Sequence, residues 1–427
     1  MEKLLRASAA AAALLALPTL AHSEELTIGL ASEPTAMDPH FHNLGPNNSM
    51  ASHVFDALII QDATQQLTPG LATEWGPIDD LTWEFKLREG VTYHDGSAFN
   101  ADDIVCSFER APNVPNSPSS FATYTKGKTV SKVDDLTIHI KTESPYPLMA
   151  NDVSTIPIVS SEGGCDGTTE AFNAGTATVG TGPFKFVSYS PGDSIVLERN
   201  EGYWGSVPIW DKVTFKPIKS GPARAAALLA GDVDLIEGVP TTDIATLAAN
   251  ADLAISQGGS NRVIYLHLDH ARTDSPFVKS IDGGSIDNPL RKLEVRQAIS
   301  KAINRDAIVE RVMEGVAIKA GQLLPDGFFG VSDKLAPVDY DPSGAKELLA
   351  AAGVPDGFSL TIHGPNDRYI NDAKIAEAIG QMLTRIGIKT EVETMPRSVY
   401  FKRASRGGPD STPEFSFILV GWGAGSG

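Results

Sequence analysis

Residues 67–75, LTPGLATEW, and residues 81–108, LTWEFKLREGVTYHDGSAFNADDIVCSF, carry the reading of this chain. From Leu81 to Arg88 apolar and polar side chains alternate without a break, the period of a half-buried β-strand. Arg88-Glu89-Gly90 then turns the chain. Tyr93-His94-Asp95-Gly96 turns it again, glycine supplying the backbone freedom a tight turn needs. Asn100 stands where a helix N-cap belongs, and Asp102 and Asp103 fall in the first turn, where negative charge suits the helix dipole. The stretch is a strand, two turns and a capped helix.

Outward from it, the chain alternates strands and helices. Leu26 to Leu30 reads as a strand, followed by the Pro-punctuated loop Ser32 to His40 and a helix-to-strand stretch at 49–60. A strand is expected at Thr137–Ile140, and Ala/Leu-rich residues from 221 form a helix stopped by Gly231. Asn261 to Leu268 alternates and reads as the last strand of its lobe. A helix pair spans 295–315 with Asn304 as an internal cap. Asp341-Pro342 opens another helix that Gly353 closes. Leu360 to His363 is a strand, Asn371 caps a helix with Ile375, Ile379, Met382, Leu383 and Ile386 at helical spacing, and strands follow at 388–393 and 415–420.

Three linked motifs in the opening stretch resemble the signature of the extracellular solute-binding proteins of peptide-type ABC importers. They are a PGLA…W segment, a strand-turn of the form tW.F.LR.gV.fHDG and an A.DV..S helix. Gly180-Thr181-Gly182-Pro183, the residues around Asn200 to Gly205, Gly231-Asp232-Val233-Asp234, Val295-Arg296-Gln297-Ala298 and Tyr340-Asp341-Pro342 continue the resemblance in order, so it spans Leu26 to Trp422. The resemblance implies an α/β, three-lobed periplasmic-binding-protein fold of the dipeptide/oligopeptide type. It places lobe I at 24–62 and 183–268, an inserted lobe II at 63–182 and lobe III at 269–427. Family members continue well past the Gly-Trp that follows the last strand, so lobe III is expected to be truncated at Gly427, with sheet edges left unpaired.

Composition bounds the alternatives. A chain of 427 residues is too long for one core. A net charge of −18 without a Lys/Arg cluster makes nucleic acid and anionic membrane surfaces poor partners. Residues 1–23 have the layout of a cleaved signal peptide: Lys3 and Arg6, an apolar run Ala9 to Leu17, then Ala21-His22-Ser23. The run is too short to span a membrane. The mature chain is therefore expected in the periplasm. Cys106 and Cys165, the two cysteines, either pair in an oxidising compartment or lie as free thiols.

The resemblance also marks candidate ligand contacts. Trp422 and Gly423 at the end of the last strand would wall the cavity, the indole offering apolar area and an N–H. Peptide-binding members often carry a carboxylate three residues after this Trp, to hold the peptide's ammonium. Here that position is Gly425, which has no such group, and Glu33 in the first loop is the candidate substitute. Arg368 and Tyr369 would grip or stack on a ligand carboxylate, and Tyr265 lies where the chain crosses into lobe III. The expected role is a monomeric substrate-binding subunit that closes on a peptide or peptide-like solute. It would pass the solute to an inner-membrane permease with its ATPase subunits. A non-peptide ligand (oligosaccharide, opine or metal chelate) is the alternative.

Catalytic and cofactor signals are weak. His40 and His42 form an incomplete metal-ligand set. Gly421 to Gly427 superficially resembles a dinucleotide fingerprint, but no helix follows. No HExxH, Walker A or GxSxG pattern occurs, so neither enzyme activity nor a metal or cofactor is expected.

Overall fold

The computed structural model describes residues 24–62, 65–326 and 330–423, so the signal-peptide segment and Gly425 lie outside the described residues. The strand Thr82–Leu87 is the second of a four-stranded antiparallel sheet, flanked by Ala72–Pro77 and Thr137–Thr142, with Lys128–Asp134 at the far edge. Its alternation has the expected consequence: Phe85 and Leu87 are buried with Ile104, Phe121 and Ile138. Gly90 and Gly96 adopt φ of +74° and +91°, a left-handed backbone that a side chain would strain. Asn100 caps the helix Ala101–Arg110 with a complete capping box. Its side chain accepts from the Asp102 N–H at 2.8 Å, while Asp103 Oδ2 accepts from the Asn100 N–H at 2.8 Å.

In chain order the first sheet is five-stranded, Leu235–Ile236, Glu25–Leu30, Lys212–Pro217, Ser194–Arg199, Phe184–Ser190, with parallel pairing around Glu25–Leu30 and antiparallel pairing beyond, and the four-stranded sheet above is the second. Its core joins Met50, Val54, Phe55, Phe184, Leu197 and Phe215. Val159, Phe172 and Ala177, assigned from sequence to the inserted lobe, pack in this core rather than with Phe85.

The third sheet orders Arg262–Leu268, Phe417–Gly423, Ser359–Pro365 and Val278–Lys279, with Lys389–Met395 parallel to Ser359–Pro365. The strand Arg262–Leu268, read from sequence as closing lobe I, pairs here over its whole length, from Arg262 opposite Gly423 to Leu268 opposite Phe417. Sequence alternation fixes that a strand exists, but its partner lies about 150 residues away, beyond the reach of a local pattern.

Two sequence motifs meet at the join between the first two sheets. The His94 N–H donates to Gly180 O at 2.9 Å, His94 Nδ1 lies 3.3 Å from the Gly180 N–H, and Nε2 lies 3.0 Å from Gly182 O. This pattern selects the neutral tautomer protonated on Nε2, and burial holds the ring's pKa down to about 4. On the other side the Gly182 N–H donates to Val54 O, and a Cβ on Gly180 would lie 1.9 Å from that oxygen. The Gly-Thr-Gly run is therefore a close backbone crossing. Thr181 between them donates to the buried Asp56 carboxylate, which also accepts from Trp204 Nε1 at 2.8 Å.

The cysteines are paired, Cys106 with Cys165, across a Cα–Cα distance of 6.0 Å. Asn304 and Asp341 cap as expected, accepting from the Ala307 and Gly344 N–H groups. Asn371 does not cap. It adopts φ +55°, and its amide donates instead to Thr241 Oγ1 at 3.0 Å and Val312 O at 2.8 Å. The helix Arg397–Arg406 has no counterpart in the sequence reading; its apolar stripe is thin, with Tyr400 alone fully buried.

Candidate ligand-binding cleft

Loops of the third sheet meet loops of the first sheet at the candidate cleft, and named contacts join the two walls. Arg397 Nη1 donates to Ser32 Oγ, and the Asn371 amide reaches Thr241. The first wall is the loop after Glu25–Leu30, leading into the helix Gly45–Val54. That helix has no side-chain cap and no acidic residue in its first turn, so the positive end of its dipole is not offset.

Three arginines build the opposite wall, each set by a different element. Arg262 opens the strand Arg262–Leu268. Arg368 sits in the loop between the strand Ser359–Pro365 and the helix Asp372–Arg385. Both its N–H and that of Tyr369 donate to Asp372 Oδ2 at 2.9 Å, which shapes the loop. Arg397 is the first residue of its helix, its N–H donating to Asp367 Oδ1 at 2.7 Å. A Cβ placed on Gly45 would lie 3.8 Å from Arg262 Nη2 and 3.9 Å from Arg368 Nη2, so the two guanidinium groups approach one point on the first wall.

The electrostatics follow from that convergence. Burial lowers the Arg368 pKa, and the charges of Arg262 and Arg397 push it further in the same direction. Burial and Arg397 likewise hold His42 below its ordinary value. Like charges about 8 Å apart repel by roughly 2 kcal/mol at an effective dielectric near 20. Among the described residues the Arg262 and Arg368 guanidinium groups make no hydrogen bond and no ion pair; each contributes only its backbone N–H to the bonds above or to Ser260 Oγ. Such a cluster is unfavourable in the empty protein and favourable around an anion.

The two tyrosine candidates gather at the same place. Tyr369 donates to Gly421 O at 3.2 Å, and its ring packs where a Cβ on Gly421 would be, 2.8 Å away. Arg368 lies over that ring at 5.2 Å. Burial raises the Tyr265 pKa, with Tyr369 adding to the effect, so the two phenols are neighbours. Trp422 remains 43% exposed at the end of its strand, and Gly423 sits opposite Arg262. Glu33 is placed differently. Its carboxylate accepts from the Gly192 N–H at 2.9 Å and lies 4.0 Å from Lys219 Nζ, so it is engaged within its own sheet.

The histidines of the first loop take separate partners. His40 is buried between Pro157 O, at 2.7 Å, and Arg110, whereas His42 meets Thr35 Oγ1 at 3.1 Å. Among the described residues no three His, Cys, Asp or Glu side chains are grouped to hold a metal, and no helix is long and apolar enough to cross a membrane. Sequence reasoning missed Arg262, Arg397, Ser32 and Gly45 as cleft residues. Gly45 alone carries a local hint, preceding Pro46 without an acidic first turn.

The mixed α/β architecture of three sheets and flanking helices agrees with similarity to known proteins. The pattern of the bacterial extracellular solute-binding proteins, family 5 (middle region), matches residues 66–427, and the chain belongs to that family of peptide-type ABC importer subunits. It is 30% identical over 423 residues to the glutathione-binding protein GsiB of Pectobacterium atrosepticum, covering 99% of this chain and 78% of that one. The dipeptide-binding protein of Escherichia coli K12 is 28% identical, over 96% of this chain and 78% of its own. Among solved structures, NikZ from Campylobacter jejuni superposes with a TM-score of 0.76 at 22% identity, covering 93% of this chain and 77% of NikZ. The periplasmic binding protein DppA from Helicobacter pylori, in complex with the peptide STSA, gives 0.73 at 26%, covering 94% and 79%. The protein is a substrate-binding component of an ABC importer, and the relatives it matches are solute-binding proteins, not enzymes.

Proposed function

We propose that this chain captures a peptide or peptide-like solute between its first and third lobes, without chemical turnover, and presents the closed form to a membrane permease. It acts as a monomer in the periplasm after removal of residues 1–23. The lobes follow the division 24–62 and 183–268, 63–182, and 269–427, amended so that the strand Arg262–Leu268 moves with lobe III, whose sheet it shares. Binding energy is coupled to shape by hinge closure, since a ligand touching both walls favours the closed state by its differential contacts.

The observation that carries this reading is Arg368. It is a half-buried guanidinium without an ion-pair partner, set over Tyr369, which has Tyr265 as its neighbour. It suits the terminal carboxylate of a peptide, which its planar fork can hold through two parallel hydrogen bonds. The names of the relatives, glutathione-binding and dipeptide-binding, support a peptide ligand. Glu33, already occupied by Gly192 and Lys219, and Gly425 leave the ammonium end without a carboxylate; this favours, as a second reading, a carboxylate-bearing solute that is not a peptide.

Calorimetric titration with di- and tripeptides tests the proposal. Tight binding by free-acid peptides is expected, with a loss of about 10- to 150-fold in Arg368→Ala, the worth of one hydrogen-bonded charge. Equal affinity for free-acid and C-terminally amidated peptides would remove Arg368 from the site. Tight binding of a non-peptide carboxylate alone would select the second reading.

A further inference from the structure

A single ligand carboxylate would use Arg368 and leave Arg262 and Arg397 unexplained. These two come from elements 135 residues apart in sequence, the start of one strand and the start of one helix, yet both charges act on Arg368. Neither has a carboxylate within ion-pair distance among the described residues. Arg397 spends its side chain on the neutral Ser32 hydroxyl, while Arg262 spends its own on nothing. The nearest acid on the same loop, Asp367, is exposed and uses its carboxylate on the Arg397 backbone N–H. A site for one acid group does not need three positive charges, because the surplus raises the cost of the empty cleft.

We propose that Arg262, Arg368 and Arg397 together form a subsite for two neighbouring acid groups, so that the preferred ligand is a peptide ending in Asp or Glu. The inference rests on the receptor reading above and narrows it. Convergence of Arg262 and Arg368 on one point at Gly45 requires the two acids to be close together, as the α-carboxylate and side-chain carboxylate of one residue are. Arg397, anchored to Ser32 on the facing wall, then couples the second acid to closure, since its position depends on both walls. Guanidinium forks match carboxylates in this way, and each charge-assisted pair bonds more strongly than a neutral one.

The probes are Ala-Ala-Glu and its isostere Ala-Ala-Gln, titrated into the full protein, with citrate as a non-peptide acid. Wild-type protein is expected to prefer Ala-Ala-Glu by about tenfold or more. That ratio should fall toward one in Arg262→Gln and in Arg397→Gln, and Arg262→Lys should recover part of it. The same Gln variants should melt at the same temperature as wild type or higher when empty, because a like charge has been removed; a purely structural arginine would lower the melting point. Peptide binding with a ratio near one overturns the inference and leaves the receptor reading intact. Citrate binding without peptide binding, lost in Arg262→Gln, keeps the clustered-acid site and removes the peptide. Absence of binding by all three probes overturns both.

Discussion

The Cys106–Cys165 bond closes a long loop, and its removal has a calculable consequence. The two residues are 59 apart, and both pack at the rim of the first-sheet core with Phe172 and Val159. Cross-linking a loop of that length removes roughly 14 cal/mol/K of entropy from the unfolded chain, about 4 kcal/mol at 25 °C. The bond ties the helix Ala101–Arg110, which belongs to the second-sheet core, to a segment that belongs to the first. Its loss should therefore loosen the join between the two and not either core alone. If the chain unfolds as one unit, 4 kcal/mol lowers the melting temperature by about 5 °C; if the first two lobes melt separately, by about 10 °C. The assay is circular-dichroism melting of wild type with and without reductant, beside Cys106→Ser/Cys165→Ser, which leaves no lone thiol. Thiol titration before unfolding establishes the starting state. Two free thiols in protein prepared from an oxidising compartment, or a double variant melting within a degree of oxidised wild type, would refute the reasoning.

Two further outcomes are expected. Gly180→Ala places a methyl 1.9 Å from the Val54 carbonyl oxygen, a backbone atom that cannot step aside; the variant should lose at least 3 kcal/mol by urea denaturation or fail to accumulate, and a loss under 1 kcal/mol would show the crossing to be adjustable. His40 and His94 are both held neutral, with pKa about 4 against an ordinary 6.5, burial being the main cause and Arg110 adding to it for His40. The unfolded chain then binds more protons than the native one between pH 6.5 and about 4, so stability is full above pH 6.5 and falls as the pH drops through that window. Each histidine contributes up to about 1.4 kcal/mol per pH unit, and the double variant His40→Gln/His94→Gln should flatten the profile measured by urea midpoints. A profile unchanged in that variant would assign the acid sensitivity elsewhere.

How far the sequence discloses this structure depends on the distance over which each feature is determined. The strand at Trp83 to Leu87 and the cap at Asn100 are local, because alternation and side-chain acceptors within three residues of their N–H donors need no tertiary information, and both are as read. Asn371 looks equally local, an Asn before an amphipathic helix, yet its amide is drawn to Thr241 and Val312. A competing tertiary acceptor overrides the capping preference. Arg368 and Tyr369 were singled out together through family resemblance, and they do lie together, the guanidinium over the ring. Arg262 and Arg397 were not. Each is an ordinary polar position at the start of an element, and only the fold brings them to Gly45 and Ser32.

That division has a functional logic. His94 with Gly180 and Gly182, and Asp56 with Thr181 and Trp204, are buried or half-buried and mutually hydrogen-bonded. They fix how one unit joins the next, so that changes at the cleft leave the frame undisturbed. The cleft residues are each supplied by the end of an element: the first residue of a strand, the first residue of a helix, a loop shaped by Asp372. Substitution there costs little folding energy, because no core contact is lost, while it changes the charge presented to ligand directly. A scaffold of this kind can be retuned from one solute to another by a few exposed or half-buried side chains. The strain of three unneutralised guanidinium groups is then the price of selectivity, because it is relieved only by a ligand that brings matching negative charge.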